Sequence, residues 1–259
     1  MRVLAGFALA IVSLAAFAAP PDASIQEIVV SDWRHSDHRS YRSMLDGMDV
    51  FEKFHAMAPD AALRFKIISR NKPDSAATLH LAIVGDTNAI PVPLAEDLSF
   101  TLVRDDAAKK DDAIVGSNRR DPSFVWVPDI RTPGLPPTVR RLGDLRLECM
   151  VNWAAKIRPP ILAPAGYAVA ALTESPCLSA MFHPLFIADR ALFNITLQSG
   201  PRRQQISANW FFGANAPPGV LELTELRFFY DRLYVLPLAD KSWDDDTMVE
   251  FDYMDDEAK

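Results

Sequence analysis

From Leu63 onward the apolar residues recur with a period of two, in short runs closed by Pro, Gly, Asn or Asp. A strand of this kind has one apolar face, which must be stacked on another sheet or a helix. Leu63, Phe65 and Ile67 alternate with Arg64 and Lys66, and residues 78–84, 90–94, 98–103 and 124–127 read as strands between turns at 71–75 and 85–88. A second series covers 192–198, 205–212, 221–230, 233–238 and 249–253. Turns every 8–12 residues or so point to sandwiches or barrels.

Two stretches stand apart from this pattern. Tyr41, Met44, Leu45, Met48, Phe51 and His55 fall on one stripe at helical spacing and Pro59 follows as a stop, so the spacing predicts an amphipathic helix over 38–57, with Gly47 its weak point. Residues 131–151 pass through Pro133, Pro136 and Pro137, which hold an extended path. Leu145, Leu147, Cys149 and Val151 then alternate with Arg146 and Glu148, which reads as a central strand.

The chain also echoes itself. IPVPLAEDLSF at 90–100 returns as YVLPLADKSW at 234–243, and LRFKIIS at 63–69 returns as LFNITLQ at 192–198. The echoes keep their order, which predicts two copies of one β module; chance similarity of two ordinary hairpins is the competing reading. In front of them, residues 1–18 carry Arg2, then apolar and small residues, then Ala16-Phe17-Ala18, and read as a signal peptide cut after Ala18; an uncleaved anchor is the alternative, since the run from Val3 to Ala19 is nearly long enough to span a bilayer. The resulting plan is a signal peptide at 1–18, an N-terminal segment with the helix at 19–60, a first β module at 61–130, a Pro-rich connection and central strand at 131–185, and a second β module at 186–259.

Export gives the two cysteines a meaning. Cys149 and Cys177 form an even pair, and in an oxidising compartment such a pair bonds; two buried free thiols are the other outcome. The protein is expected to be periplasmic or secreted, with no membrane span after signal cleavage. Its formal charge is -7, and residues 240–259 hold nine acidic residues against Lys241 and Lys259. The remainder is nearly neutral, which argues against a nucleic-acid partner, and the acidic run reads as a solvated surface.

Candidate chemistry is sparse. Asp32, His35, Asp37 and His38 are the best metal candidates, because two histidines at i and i+3 on a helix can share an ion; a capped, polar helix entrance explains the same residues. Asp244, Asp245 and Asp246 lack the ligand spacing and glycine of a calcium loop and read as a solvated turn. No nucleophile signature occurs, and no cofactor is expected. Asn194-Ile195-Thr196 fits a glycosylation acceptor but falls mid-strand. Trp210, Phe212, Phe229 and Tyr234 concentrate planar side chains in the second module, where they serve either as core or as a platform for a sugar ring or peptide.

The alternation and the Pro-rich strand ends resemble immunoglobulin-like and transthyretin-like sandwiches in architecture. Cys149, Trp153 and Cys177 do not follow the immunoglobulin Cys-Trp-Cys arrangement, and an architectural resemblance implies no function. The fold expected is mainly β: two immunoglobulin-like or transthyretin-like β-sandwich modules with one N-terminal amphipathic helix. The function expected is non-enzymatic binding of an extracytoplasmic protein or envelope partner. Small-ligand or carbohydrate binding and a carboxylate hydrolase are the alternatives. An exposed aromatic row favours the ligand; a deep cleft holding two carboxylates with His183 or His80 favours the enzyme.

Overall fold

The computed structural model describes residues 37–70, 78–86, 88–121, 123–157, 176–180, 182–214, 216 and 221–254. Residues 1–18, read above as a signal peptide, lie outside them, as do Asp32, His35 and most of the 215–219 turn. Among the described residues the chain is β-rich, with four antiparallel sheets and few helices.

Its first half runs β1 (His38–Ser40), α1 (Tyr41–Phe54), β2 (Ala62–Ile68), β3 (Leu81–Val84), β4 (Ala89–Val92), β5 (Ser99–Phe100), α2 (Asp106–Lys110), β6 (Ile114–Ser117) and β7 (Val125–Arg131). The second half runs β8 (Val139–Arg141), α3 (Leu142–Ala154), β9 (Phe186–Ile187), β10 (Leu192–Ser199), β11 (Arg202–Gln205), β12 (Leu233–Tyr234) and β13 (Met248–Tyr253). The stretch read as one helix over 38–57 thus holds strand β1, helix α1 and a 3-10 turn at His55–Met57. Ser40 caps α1 by accepting from Ser43 N–H, which occupies a donor that the first turn leaves unpaired.

Strand pairing makes the halves copies of one another. One sheet has the order β1-β6-β3-β4 and another β8-β13-β10-β11, so in each half a short strand enters a helix, a hairpin follows, and a late strand inserts between them. The registers agree residue by residue. Ser40 faces Ile114 as Arg141 faces Met248. The first helical N–H of α1, on Tyr41, donates to Ala113 O at 2.9 Å, and that of α3, on Leu142, donates to Thr247 O at 2.8 Å. Phe65 faces Phe100 as Phe186 faces Tyr234, with Ile67 N–H donating to Leu98 O and Ala188 N–H to Arg232 O beside them. One difference stands out: β2 pairs with both β5 and β7, whereas β9 pairs with β12 alone among the described strands.

The two halves share strand order and register, but the sequence echoes do not follow that correspondence. Counting along the shared register sets Pro237 against Val103 and Pro93 against Ser207, while β10 matches β3 rather than β2. The similar letters are two unrelated strand-turn passages.

The central strand expected over 145–151 is instead the middle of α3, the most buried of the described helices. Its alternation of apolar and charged residues imitates a strand because the helix is buried all round and has no polar stripe. Leu142, Leu145, Cys149 and Met150 enter the core of the second half, while Leu147, Val151 and Ala155 enter that of the first. The charges between them are all partnered. Asp144 and Glu148, one turn apart, share a face and accept from Thr132 N–H and Ile130 N–H at 2.8 Å each, along the end of β7. Arg146 points the other way and donates to the carbonyls of Leu238, Asp240 and Trp243 and to Asp245.

The acidic run is likewise more than a solvated turn. Asp245 pairs with Arg146 at 2.6 Å, Asp246 with Arg141, and Asp244 accepts from Thr247 Oγ1. Residues 105–112 contain α2, capped by Asp105 accepting from Ala108 N–H at 2.7 Å. Prolines inside the sheets sit on edge strands, Pro91 on β4 and Pro128 on β7, where a missing donor leaves no ladder broken.

Candidate functional site

The two halves enclose a cleft. One wall is the outer face of β2 and β7, with Lys66, Ile68, Val127, Asp129 and Arg131; these residues share a face because β2 pairs antiparallel with β7. The opposite wall is the run from Phe182 to Ile187 entering β9, and the floor is α3 with Glu148, Cys149, Asn152 and Trp153. Arg140 of β8 and Tyr234 of β12 close the inner end. The recess measures about 80 Å³ and opens to solvent on one side.

A covalent tie holds the floor to the wall. Cys149 and Cys177 form a disulfide, with Cα atoms 5.9 Å apart. Cys177, fully buried, opens the segment that leads to Phe182. This is the predicted bond, and it fits an oxidising compartment. No helix among the described residues is long and apolar enough to cross a membrane.

The charges in the cleft neutralise one another. Arg140 Nη2 lies 2.5 Å from Glu148 Oε1 and donates to Ile130 O at 2.6 Å; Glu148 in turn accepts from Ile130 N–H. Arg131 lies 2.7 Å from Asp129 and 3.0 Å from Asp189. Lys66 stands 3.9 Å from Asp189 and 3.5 Å from Asp97. Burial pushes the Glu148 carboxyl above the usual carboxylate range despite the opposing pull of Arg140. Burial pushes Asp189 upward too, but there the Arg131 guanidinium wins and the carboxyl titrates below its usual range. Burial also raises the Tyr234 phenol, so it stays a neutral hydroxyl. Arg140 is 8% exposed, and among the described residues its Nε finds no acceptor, as is also true of Arg39 Nε on β1.

The residues singled out from sequence fall in different places. Tyr234 lines the cleft and stacks on Phe186 with ring centroids 5.4 Å apart. Trp210 packs edge-on against the cleft residue His183. Phe229 is fully buried in a separate apolar cluster, and Phe212 is exposed on a turn with φ of 57°. His38 is exposed on β1, and Asp37 is committed to Arg39 and to the Trp126 indole N–H. Among the described residues no cluster of three metal-ligating side chains occurs. His80 lies outside the cleft, where its N–H donates to Asn118 Oδ1.

Sequence reasoning missed Arg140, Glu148, Asp129, Arg131 and Asp189. The available signal was the set of charges at Arg140, Arg141, Asp144, Arg146 and Glu148 inside an otherwise leucine-rich stretch. Charges at that density among leucines fit a buried, internally paired helix as well as a half-buried strand.

Comparison with known proteins finds no matching family model, no matching curated protein and no matching solved structure.

Proposed function

We propose that this chain is an exported, non-enzymatic binding protein that holds a small ligand in the cleft between its two repeats. The observation that carries the reading is the state of the charged groups. Asp129, Glu148 and Asp189 each lie against a guanidinium at 2.5–3.0 Å, so they serve as ion-pair partners and not as a free acid and base. His183 is present beside them, which is the composition that favoured a hydrolase, but its ring is packed on Trp210. A concave site between two structural units, walled by aromatics with a few placed polar groups, is the usual form of a small-molecule site. Export rests on the N-terminal apolar run together with the disulfide.

The test is to purify the disulfide-intact protein from its native envelope under gentle extraction and weigh it by native mass spectrometry. An added mass of a small molecule, absent from a variant with the cleft filled by Ala216→Phe, supports the reading. A stoichiometric protein partner retained by both forms would replace it with partner binding at the surface.

A further inference from the structure

We propose that residues 24–30 of this chain dock as a strand along β9, on the side away from β12, and complete the wall of the cleft there. The inference goes beyond the binding reading above, since it concerns what finishes the cleft and not what the cleft holds.

The first ground is an exchange between the halves. β7 directly precedes β8 and so belongs in chain order to the second half, yet it pairs with β2 of the first. The helices are exchanged in the same manner. Val151 and Ala155, at the end of α3, enter the first core, and the residues at their places in α1, Val50 and Phe54, pack on the second. Contacts of this kind are reciprocal when two like units face each other. The reciprocal of β7 is a strand that precedes β1 and pairs with β9, and among the described residues none does.

The second ground is position. Seven residues separate β7 from β8, and the same interval before β1 leads back to residues 24–30, SIQEIVV, a stretch as long as β7. Ile25, Ile28, Val29 and Val30 give it the β-branched content of a strand. It lies outside the described residues, which begin at Asp37.

The third ground is the seat. In the first half Trp126 of β7 meets Phe100 edge-on, with ring centroids 5.6 Å apart, and lies 5.3 Å from the Arg39 guanidinium. The counterparts of Phe100 and Arg39 are Tyr234 and Arg140, and both line the inner end of the cleft. Ile25 holds the place of Trp126, so the strand brings an apolar side chain onto Tyr234. The backbone of β9 is turned to receive it: Ala188 N–H donates to Arg232 O on the β12 side, so the next residue, Ile187, directs its N–H and C=O the other way. Room for a ligand remains. β7 leaves the groove at Met48, Phe51 and Phe65 open beside it, and their counterparts in the cleft are Cys149, Asn152 and Phe186.

The register follows from β2 and β7. Leu63 faces Ile130 and Arg64 faces Asp129, which sets Val29 opposite Pro184 and Ile28 opposite Leu185. Ile130 N–H donates to Glu148 and not to β2, so the pair at Leu63, like the one proposed at Pro184, is of the close kind without mutual hydrogen bonds. Its Cα atoms stand roughly 4.5 Å apart, within disulfide reach.

Val29→Cys with Pro184→Cys is therefore oxidised in the native, disulfide-intact protein, and the bonds are mapped by peptide mass spectrometry. Ile28→Cys with Pro184→Cys is the control, because one residue of slip turns the side chain to the other face. The 29–184 bond is expected within one molecule and in at least about tenfold greater yield than the control. In the unmodified protein, Gln26 and Ile28 N–H point at β9 and should exchange at least about tenfold more slowly than Glu27 and Val29 N–H. This exchange pattern, read by NMR, decides alone if the cysteine variants do not fold.

Equal yields from the two variants overturn the register and the assignment with it. A 29–184 bond that joins two molecules overturns it in favour of strand exchange between copies. No bond, together with uniformly fast exchange over residues 24–30, means that something else covers β9 and the inference fails. None of these measurements involves a ligand, so native mass spectrometry judges the binding reading separately.

Discussion

Each repeat has a groove at the same place, yet only one is a candidate site. In the first half the groove is lined by Met48, Phe51, Glu52, His55, Ala61, Ala62, Leu63, Phe65, Thr101 and Leu102. Along the shared register, all of these except His55 and Leu102 match residues that line the cleft of the second half. The side chains differ sharply: Ala61, Ala62 and Leu63 correspond to Phe182, His183 and Pro184, and Glu52, tied outward to Arg104 at 2.8 Å, corresponds to Trp153.

The partners of the strand differ as well. In the first half β7 runs beside β2, whereas in the second half no described strand flanks β9 opposite β12, and the outer face of β2 and β7 completes the wall from the other repeat. One backbone plan thus yields an apolar groove and a charged cleft, and the difference arises where the copies meet. Arg39 and Arg140 show this in miniature. They occupy the same place in β1 and β8, but Arg39 lies over the Trp126 ring and pairs with Asp37, while Arg140 reaches Glu148 and the recess.

Four experiments break or sharpen this comparison. The largest effect is expected from Glu148→Gln, which leaves Arg140 buried without its counter-charge and should cost about 3–5 kcal/mol in urea unfolding. Replacing both partners, Arg140→Met with Glu148→Leu, should recover most of that stability; a double variant no better than the single one would show that the pair does more than neutralise itself. Next comes the disulfide. Cys149→Ser with Cys177→Ser should lower stability by roughly 3–4 kcal/mol through the lost loop constraint and free the Phe182 wall from α3. Unchanged protection of the wall amides from hydrogen exchange would contradict that role.

Gly47 occupies the position in α1 that Glu148 occupies in α3. A Cβ there would lie 2.8 Å from Ala155 Cβ and 3.2 Å from Val151 O, so Gly47→Ala should cost about 1–3 kcal/mol by forcing the helices apart, against its gain in helix propensity. A stabilised variant would mean that the helices part without loss.

The smallest effect is one of pH. Asp189 titrates lower in the folded protein than an unfolded Asp, whose pKa is about 3.9, so the folded state resists protonation. Its contribution is complete above that value and is lost as pH falls through the folded one. Asp189→Asn should therefore flatten the acid limb of stability measured by urea midpoints from neutral pH downward, with little change in shape above pH ~5. An equally steep acid limb in the variant would place the acid sensitivity elsewhere.

Much of the local structure was legible. The strands at 62–68, 192–199 and 248–253 follow from alternating apolar residues, and the stripe from Tyr41 to Phe51 marks α1. The pairing of Cys149 with Cys177 followed from their number and from an exported chain. The site was not legible, because its members come from β2, β7, β8, α3 and the run into β9, and no spacing along the chain relates them. The echoed letters do not follow the correspondence between the halves: the matching positions share strand order and hydrogen-bond register, which leave little trace in side-chain identity.

What the sequence alone determined was the β-rich class, the amphipathic helix and the disulfide, since these depend on periodicity and on chemistry local to a residue or a pair. Only the tertiary structure decided that Leu142–Ala154 is a helix, that its charges are buried, and that two copies of one plan enclose unlike grooves. The physical reason lies in burial. A helix that is covered on every side loses its amphipathic signature, and a charge among leucines becomes tolerable only when the fold brings its partner, as Arg140 is brought to Glu148.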